Sequence, residues 1–270
     1  GLEAAQRTYA FFKTLGPRFT AEASHFGTQP TMFLSLVSPQ GHLEHYDGFL
    51  RLKDAQGHIV EDRVPTGDYV RLVGEAAEDW SFMKFPYYKP MGYPGGIYRV
   101  GPLARLNNAD ACGTPYADVA LAEFRMLQDR GPVASSFHYH YARLVEIIYA
   151  IEMMERLLQE PDILSARVRA RARSNRYEGI GVAEAPRGTL MHHYRIDDNG
   201  LITWVNLIIA TGHNNLAMNQ SIRQVAQAYV DGNRLQEGML NRVEAVIRCY
   251  DPCLSCASHA FGEMPLVVEL

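Results

Sequence analysis

At 270 residues, with 47% hydrophobic and 21% charged residues, the chain is long enough to bury a substantial core. A net charge of -4 with no long block of either sign gives no reason to expect nucleic acid or an anionic membrane as partner. No apolar run approaches the roughly 20 residues that span a bilayer, and Gly1 to Arg7 begins a helical pattern instead of a signal peptide, so a cytoplasmic protein with protein partners is expected. Four cysteines, with Cys249, Cys253 and Cys256 clustered, suit a reducing compartment in which thiols bind metal; a disulfide framework is not expected.

Along the chain, Ala4 to Leu15 carries apolar residues at helical spacing. Thr31 to Val37 and Leu43 to Val64 then alternate around the turn signals Asp47-Gly48 and Gln56-Gly57, which predicts a small antiparallel β region. From Phe85 to Leu106 the density of proline, glycine and tyrosine predicts irregular but anchored chain that covers a functional surface. Helices are expected over Tyr116 to Asp129 and Ala134 to Gln159, the second with Leu144, Ile147, Ile151, Met154 and Leu158 on its buried stripe and Pro161 ending it. Arg167, Arg169, Arg171, Arg173 and Arg176 read as a solvated face. Gly188 to Ala210 predicts a hairpin turning at Asp198-Asn199-Gly200, followed by helices over Asn214 to Val230 and Glu237 to Arg248, and Met264 to Leu270 reads as a strand-like tail. The sum is a helix-rich α+β fold, a helical core with small antiparallel sheets, in a single domain over 1–270.

The sharpest chemical feature is Asp251-Pro252-Cys253-Leu254-Ser255-Cys256-Ala257-Ser258-His259. A Cys-x-x-Cys pair on a tight turn brings two sulfurs near enough to grip one soft metal ion, and thiolates favour nickel, iron, zinc or copper(I) over magnesium or calcium. Spacing alone leaves three readings open. Cys249, Cys253, Cys256 and His259 offer a closed zinc set; the pair serves a catalytic metal; or it is a redox dithiol, the weakest reading because no βαβ context surrounds it.

The Asp-Pro-Cys-x-x-Cys-x-x-His pattern resembles the closing signature of nickel–iron hydrogenase large subunits, and Glu184-Ala185-Pro186-Arg187-Gly188 followed by His192 resembles a second motif of that family, in the right order. Phe85-Pro86-Tyr87-Tyr88-Lys89, Gly101-Pro102-Leu103-Ala104-Arg105-Leu106-Asn107 and Ala210-Thr211-Gly212-His213-Asn214-Asn215 are similar to its soluble, cytoplasmic, NAD(P)-coupled branch. The resemblance implies Cys253 as a terminal nickel ligand and Cys256 as a thiolate bridging nickel to an iron that bears CO and CN ligands. It implies Arg187 as a cation on the open side of the two metals, Thr211 as a contact to an iron cyanide, and His259 as ligand to a magnesium-like ion. His138, His140, His192, His193 and His213 are expected to be held by protein partners instead of metal. Implied partners are a small iron–sulfur subunit, diaphorase-type electron-transfer subunits carrying iron–sulfur clusters and NAD(P), a maturation endopeptidase and nickel-insertion proteins.

Two departures accompany the resemblance. The family's Arg-x-Cys-Gly-x-Cys stretch, which supplies the other two thiolates, is absent from this sequence, and the lone Cys112 reads as a packed core thiol. The chain is therefore expected to be the C-terminal part of a large subunit, to need the N-terminal part as a partner, to leave apolar faces uncovered and to be inactive alone. Residues 260–270 read as an uncleaved C-terminal extension of the kind a maturation protease removes. A zinc-binding scaffold of hydrogenase ancestry is the competing expectation.

Overall fold

The computed structural model describes residues 1–169 and 175–258; Arg171, Arg173, His259 and the 260–270 tail lie outside the described residues. Helix α1 (Leu2–Ala23) turns Ala5 and Tyr9 inward. Strands β1 (Met32–Val37), β2 (Phe49–Lys53) and β3 (Ile59–Val64) form an antiparallel meander, and the short β6 (Tyr98–Arg99) adds parallel to β1, giving the order β3-β2-β1-β6. Every residue of β1 is buried, because its two faces serve two cores: Phe33 faces the helices while Met32, Leu34 and Leu36 face the sheets.

After a one-turn helix α2 (Tyr69–Leu72), β4 (Val73–Glu78) and β5 (Ser81–Tyr88) pair as a hairpin. Helices α3 (Pro102–Asn108), α4 (Pro115–Arg125) and α5 (His138–Leu157) follow. The sheet β7 (Glu178–Ala185), β8 (Gly188–Ile196) and β9 (Ile202–Ile208) comes next, then α6 (Ala210–His213), α7 (Asn215–Tyr229), α8 (Glu237–Tyr250) and α9 (Leu254–Ala257). The architecture is the expected helix-rich α+β, with α5 in the helical core and small, mostly antiparallel sheets. Among the described residues no helix is long and apolar enough to cross a membrane.

Three expectations are corrected. The predicted stripe of α5 is not its buried face: Tyr141, Ala142, Val145, Ile148, Tyr149 and Glu152 point inward, while Ile147, Met154 and Leu158 are exposed and Leu144 and Ile151 sit at the margin. Aliphatic spacing misjudged it because satisfied polar side chains bury as well as leucine. The Glu152 carboxylate accepts from Thr114 Oγ1 at 2.7 Å and from the Tyr116 and Ala117 amides at 2.9 Å, capping the start of α4.

The stretch predicted as irregular over 85–106 contains α3, launched by Gly101 with Pro102 in its first turn, where the missing amide is harmless and the fixed φ is already helical. Strands β4, β5 and β7 were not anticipated. The hairpin turning at 198–200 and the helices near the end fall where expected.

Candidate metal centre

Strands β7 and β8 are registered so that Ala185 pairs with Gly188, leaving only Pro186 and Arg187 in the turn. That turn is pressed against the entry to α3. A Cβ on Gly188, at φ +141, would collide with Val100 Cγ2, and one on Gly101, at φ +91, would lie 2.6 Å from the Arg187 carbonyl. Only glycine at both places permits so close an approach.

Arg187 leaves this turn toward the end of α8. Its Nε donates to the Asp251 carbonyl at 2.6 Å and lies 3.3 Å from the Asp251 carboxylate, with the side chain still 41% exposed. Its partner is therefore Asp251 of the cysteine motif, and Glu184 is engaged elsewhere. The fully buried Glu184 carboxylate accepts from Arg105 Nη1 at 2.8 Å, from the Leu36 amide at 2.9 Å and from Thr189 Oγ1 at 2.8 Å. Burial pushes its pKa up, against the pull of Arg105.

Asp251 ends α8 in the left-handed conformation, φ 50 and ψ 53, which an aspartate tolerates better than most residues. The chain then turns through Pro252 into α9, with Cys253 half-buried before the helix and Cys256 exposed within it. The Cys253 amide donates to the buried Thr211 Oγ1 at 3.0 Å, so α6 is the floor under the cysteine segment. A hydroxyl that accepts in this way keeps its own proton to donate elsewhere. Arg143, from α5, adds a second brace by donating from Nη2 to the Cys249 carbonyl at 2.7 Å.

Cys253 and Cys256 are joined as a disulfide with Cα atoms 5.3 Å apart, which corrects the expectation of free thiols there. The spacing that lets two sulfurs share a metal also lets them bond to each other, and only the reduced thiolates can be ligands. Cys112 and Cys249 are free and buried, and burial pushes both thiols up to about 12. Cys112 is thus a packed core thiol, as expected. Cys249 donates to the Ala245 carbonyl at 3.2 Å within α8, and among the described residues no three histidine, cysteine or acidic side chains converge on a metal position. His259, the fourth member of the zinc set built on Cys249, lies outside the described residues.

Most of the histidines have the protein partners expected. His193 bridges Tyr69 at 3.0 Å and Glu178 at 2.8 Å, His192 meets Tyr194 at 3.0 Å, His213 meets Tyr98, and His140 lies 3.4 Å from Arg143. His138 differs: its buried Nδ1 has no partner among the described residues, and desolvation lowers its pKa to about 4.

The structure thus brings Cys253, Cys256, Thr211 and Arg187 together from three separate segments, and adds Asp251, Arg105 and Arg143, which sequence reading did not single out. The signal for Asp251 and Arg105 lay in the family-like motifs that contain them; Arg143 carried none, since its role is a bond to distant backbone. The donor set suits a soft metal pair: two sulfurs that become thiolates on reduction, a hydroxyl free to donate, and a fixed guanidinium on the open flank.

Comparison with known proteins gives the family. A family model described as nickel-dependent hydrogenase matches residues 6–259. The chain is 41% identical, over its full length, to 56% of the NAD-reducing hydrogenase HoxS subunit beta of Cupriavidus necator. Over 90% of its length it is 42% identical to 51% of a chain of the F420-non-reducing hydrogenase of Methanothermobacter thermautotrophicus. A crystal structure of NAD+-reducing NiFe-hydrogenase in the H2-reduced state superposes with a TM-score of 0.90 at 42% identity, over 96% of this chain and 57% of that one. This chain belongs to the nickel-dependent hydrogenase family, and it spans about half the length of the relatives it matches.

Proposed function

We propose that this chain is the C-terminal part of the catalytic large subunit of a nickel–iron hydrogenase that interconverts dihydrogen with protons and electrons. The observation that carries the reading is the convergence of Cys253, Cys256, Thr211 and the Arg187–Asp251 pair at one place. A nickel–iron centre, when bound, supplies the redox-active metals at which dihydrogen is split.

The chain's own residues do the rest. Cys253 and Cys256, once reduced, would hold the centre through soft and strongly donating thiolates, Cys253 as a ligand to nickel and Cys256 as a ligand shared by nickel and iron. Thr211, fixed from behind by the Cys253 amide, would donate a hydrogen bond from its hydroxyl to a cyanide ligand of the iron. Arg187 keeps a permanent positive charge on the flank, held in place by Asp251, where it stabilises charge that develops during proton transfer. His259 is proposed as ligand to a magnesium-like ion, and residues 260–270 as the extension removed in maturation.

The remaining thiolates are assigned to the portion of the large subunit that this chain does not contain, so the chain alone is proposed to be inactive. Electrons pass to a small iron–sulfur subunit, then through diaphorase-type subunits to NAD(P), in the cytoplasm. A maturation endopeptidase and nickel-insertion proteins complete the partners. In support, the chain is similar over its full length to part of an NAD-reducing hydrogenase.

Elemental analysis tests the reading on this chain and on a version extended to the length of its relatives, each co-expressed with the maturation proteins. Nickel and iron in equal amounts in the extended protein only is the expected result. Stoichiometric zinc in both would replace the enzyme with a zinc-bound scaffold of hydrogenase ancestry.

A further inference from the structure

Arg105 stands out among the buried groups that the proposed chemistry does not use. Its side chain is wholly buried, and all of its N–H donors are spent. Nε and Nη2 form a bidentate pair with Glu146 at 2.6 and 2.7 Å, and Nη1 reaches Glu184 at 2.8 Å. The other bonds go to backbone: Nη1 to the Ala185 carbonyl at 2.9 Å and Nη2 to the Pro186 carbonyl at 3.2 Å. Those carbonyls belong to the two residues before Arg187.

We propose that Arg105 is the positioning residue for Arg187: it holds the Ala185–Gly188 turn by its two carbonyls and so fixes where the Arg187 guanidinium meets Asp251. Glu146, from α5, and Glu184, from β7, orient the Arg105 fork, and a planar guanidinium is the side chain that can serve two carboxylates and two carbonyls at once. The close approach of Gly101 to the Arg187 carbonyl ties the same turn to the start of the helix that carries Arg105. Lysine cannot replace this fork, because its ammonium has fewer donors and no fixed plane. The catalytic meaning of the inference rests on the hydrogenase reading; the positioning itself does not.

Two readouts separate them. In the chain itself, exchange of the Arg187 Nε–H proton, protected by its bond to Asp251, is followed by NMR in the wild type, Arg105→Lys, Glu146→Gln and the control Glu152→Gln. The control loosens a buried carboxylate cap far along α5 without touching the turn. Arg105→Lys is expected to speed Arg187 exchange about tenfold, the equivalent of one lost hydrogen bond, and Glu146→Gln to speed it by a smaller factor. Glu152→Gln is expected to leave it unchanged at a comparable loss of melting temperature. If Arg105→Lys does not fold, Glu146→Gln carries the comparison.

Equal acceleration in Glu146→Gln and the control, or no acceleration in any variant, overturns the positioning role. In the complete, metal-loaded large subunit with its small subunit, Arg105→Lys should lower kcat for dihydrogen while KM stays within twofold. Should the wild-type assembly show no turnover while Arg187 exchange still responds to Arg105, the hydrogenase reading fails and the positioning role stands.

Discussion

The β7–β8 turn and the Asp251–Ser258 segment face each other, and they are held in opposite ways. The turn is clamped from behind by Arg105, pressed onto Gly101 and bounded by two paired strands, with Glu184 buried beneath it. Among the described residues the cysteine segment hangs on the Cys253 amide to Thr211, Asp251 to Arg187, Arg143 to the Cys249 carbonyl, and a bridge from Ser258 to Met83 of β5. In the proposed half-site it is the backbone turn carrying Arg187 that is rigid, while its guanidinium shares its anchor, Asp251, with the ligand pair. A ligand pair of this kind is finished by what it binds, because metal coordination supplies the order that few protein contacts provide.

Substitutions can break or sharpen that contrast. The largest effect is expected from Glu184→Leu, which leaves Arg105 buried beside an apolar group; urea unfolding of the chain should show a loss of about 3–5 kcal/mol. A smaller loss would mean that the clamp is not electrostatic.

Acid should weaken the fold next. His138 sits buried on the first turn of α5 and is neutral down to about 4, while an unfolded histidine protonates near 6.5. Protons therefore bind the unfolded chain first, so the contribution of His138 is complete above about pH 6.5 and falls by about 1.4 kcal/mol per pH unit between there and about pH 4. Removing the titration with His138→Leu should flatten the stability curve in that window.

Thr211→Val removes the acceptor for the Cys253 amide and should cost about 1 kcal/mol, with faster amide exchange confined to residues 251–257 and none at the β7–β8 turn. Arg187→Lys is the smallest for stability, under about 1 kcal/mol, because its pair with Asp251 is solvent-exposed. In the assembled enzyme the same change should lower dihydrogen turnover by about 100-fold or more, as loss of a fixed charge-stabilising donor does.

Much of the candidate site was legible in the sequence because it is written in contiguous motifs: Glu184 to Gly188 and Asp251 to Cys256 contain the residues proposed to face the metals. Their supports were less so: Arg143 lies in no motif, and Arg105, although inside the family-like Gly101–Asn107 stretch, gives no local sign of the distant carbonyls it holds. Helical segments with regular spacing were found to within a few residues. The helix at Pro102 was hidden by the glycine and proline density that launches it. The buried face of α5 was missed because tyrosines and a capped glutamate occupy positions that the aliphatic pattern assigned elsewhere.

The most direct test of the central claim, that Cys253 and Cys256 are metal ligands presented beside a fixed Arg187, is X-ray absorption at the nickel edge of the complete, mature large subunit. The expected result is a sulfur shell around nickel that loses one scatterer in Cys253→Ser and again in Cys256→Ser, and that is unchanged in Arg187→Lys. A sulfur shell untouched by either cysteine substitution would contradict it.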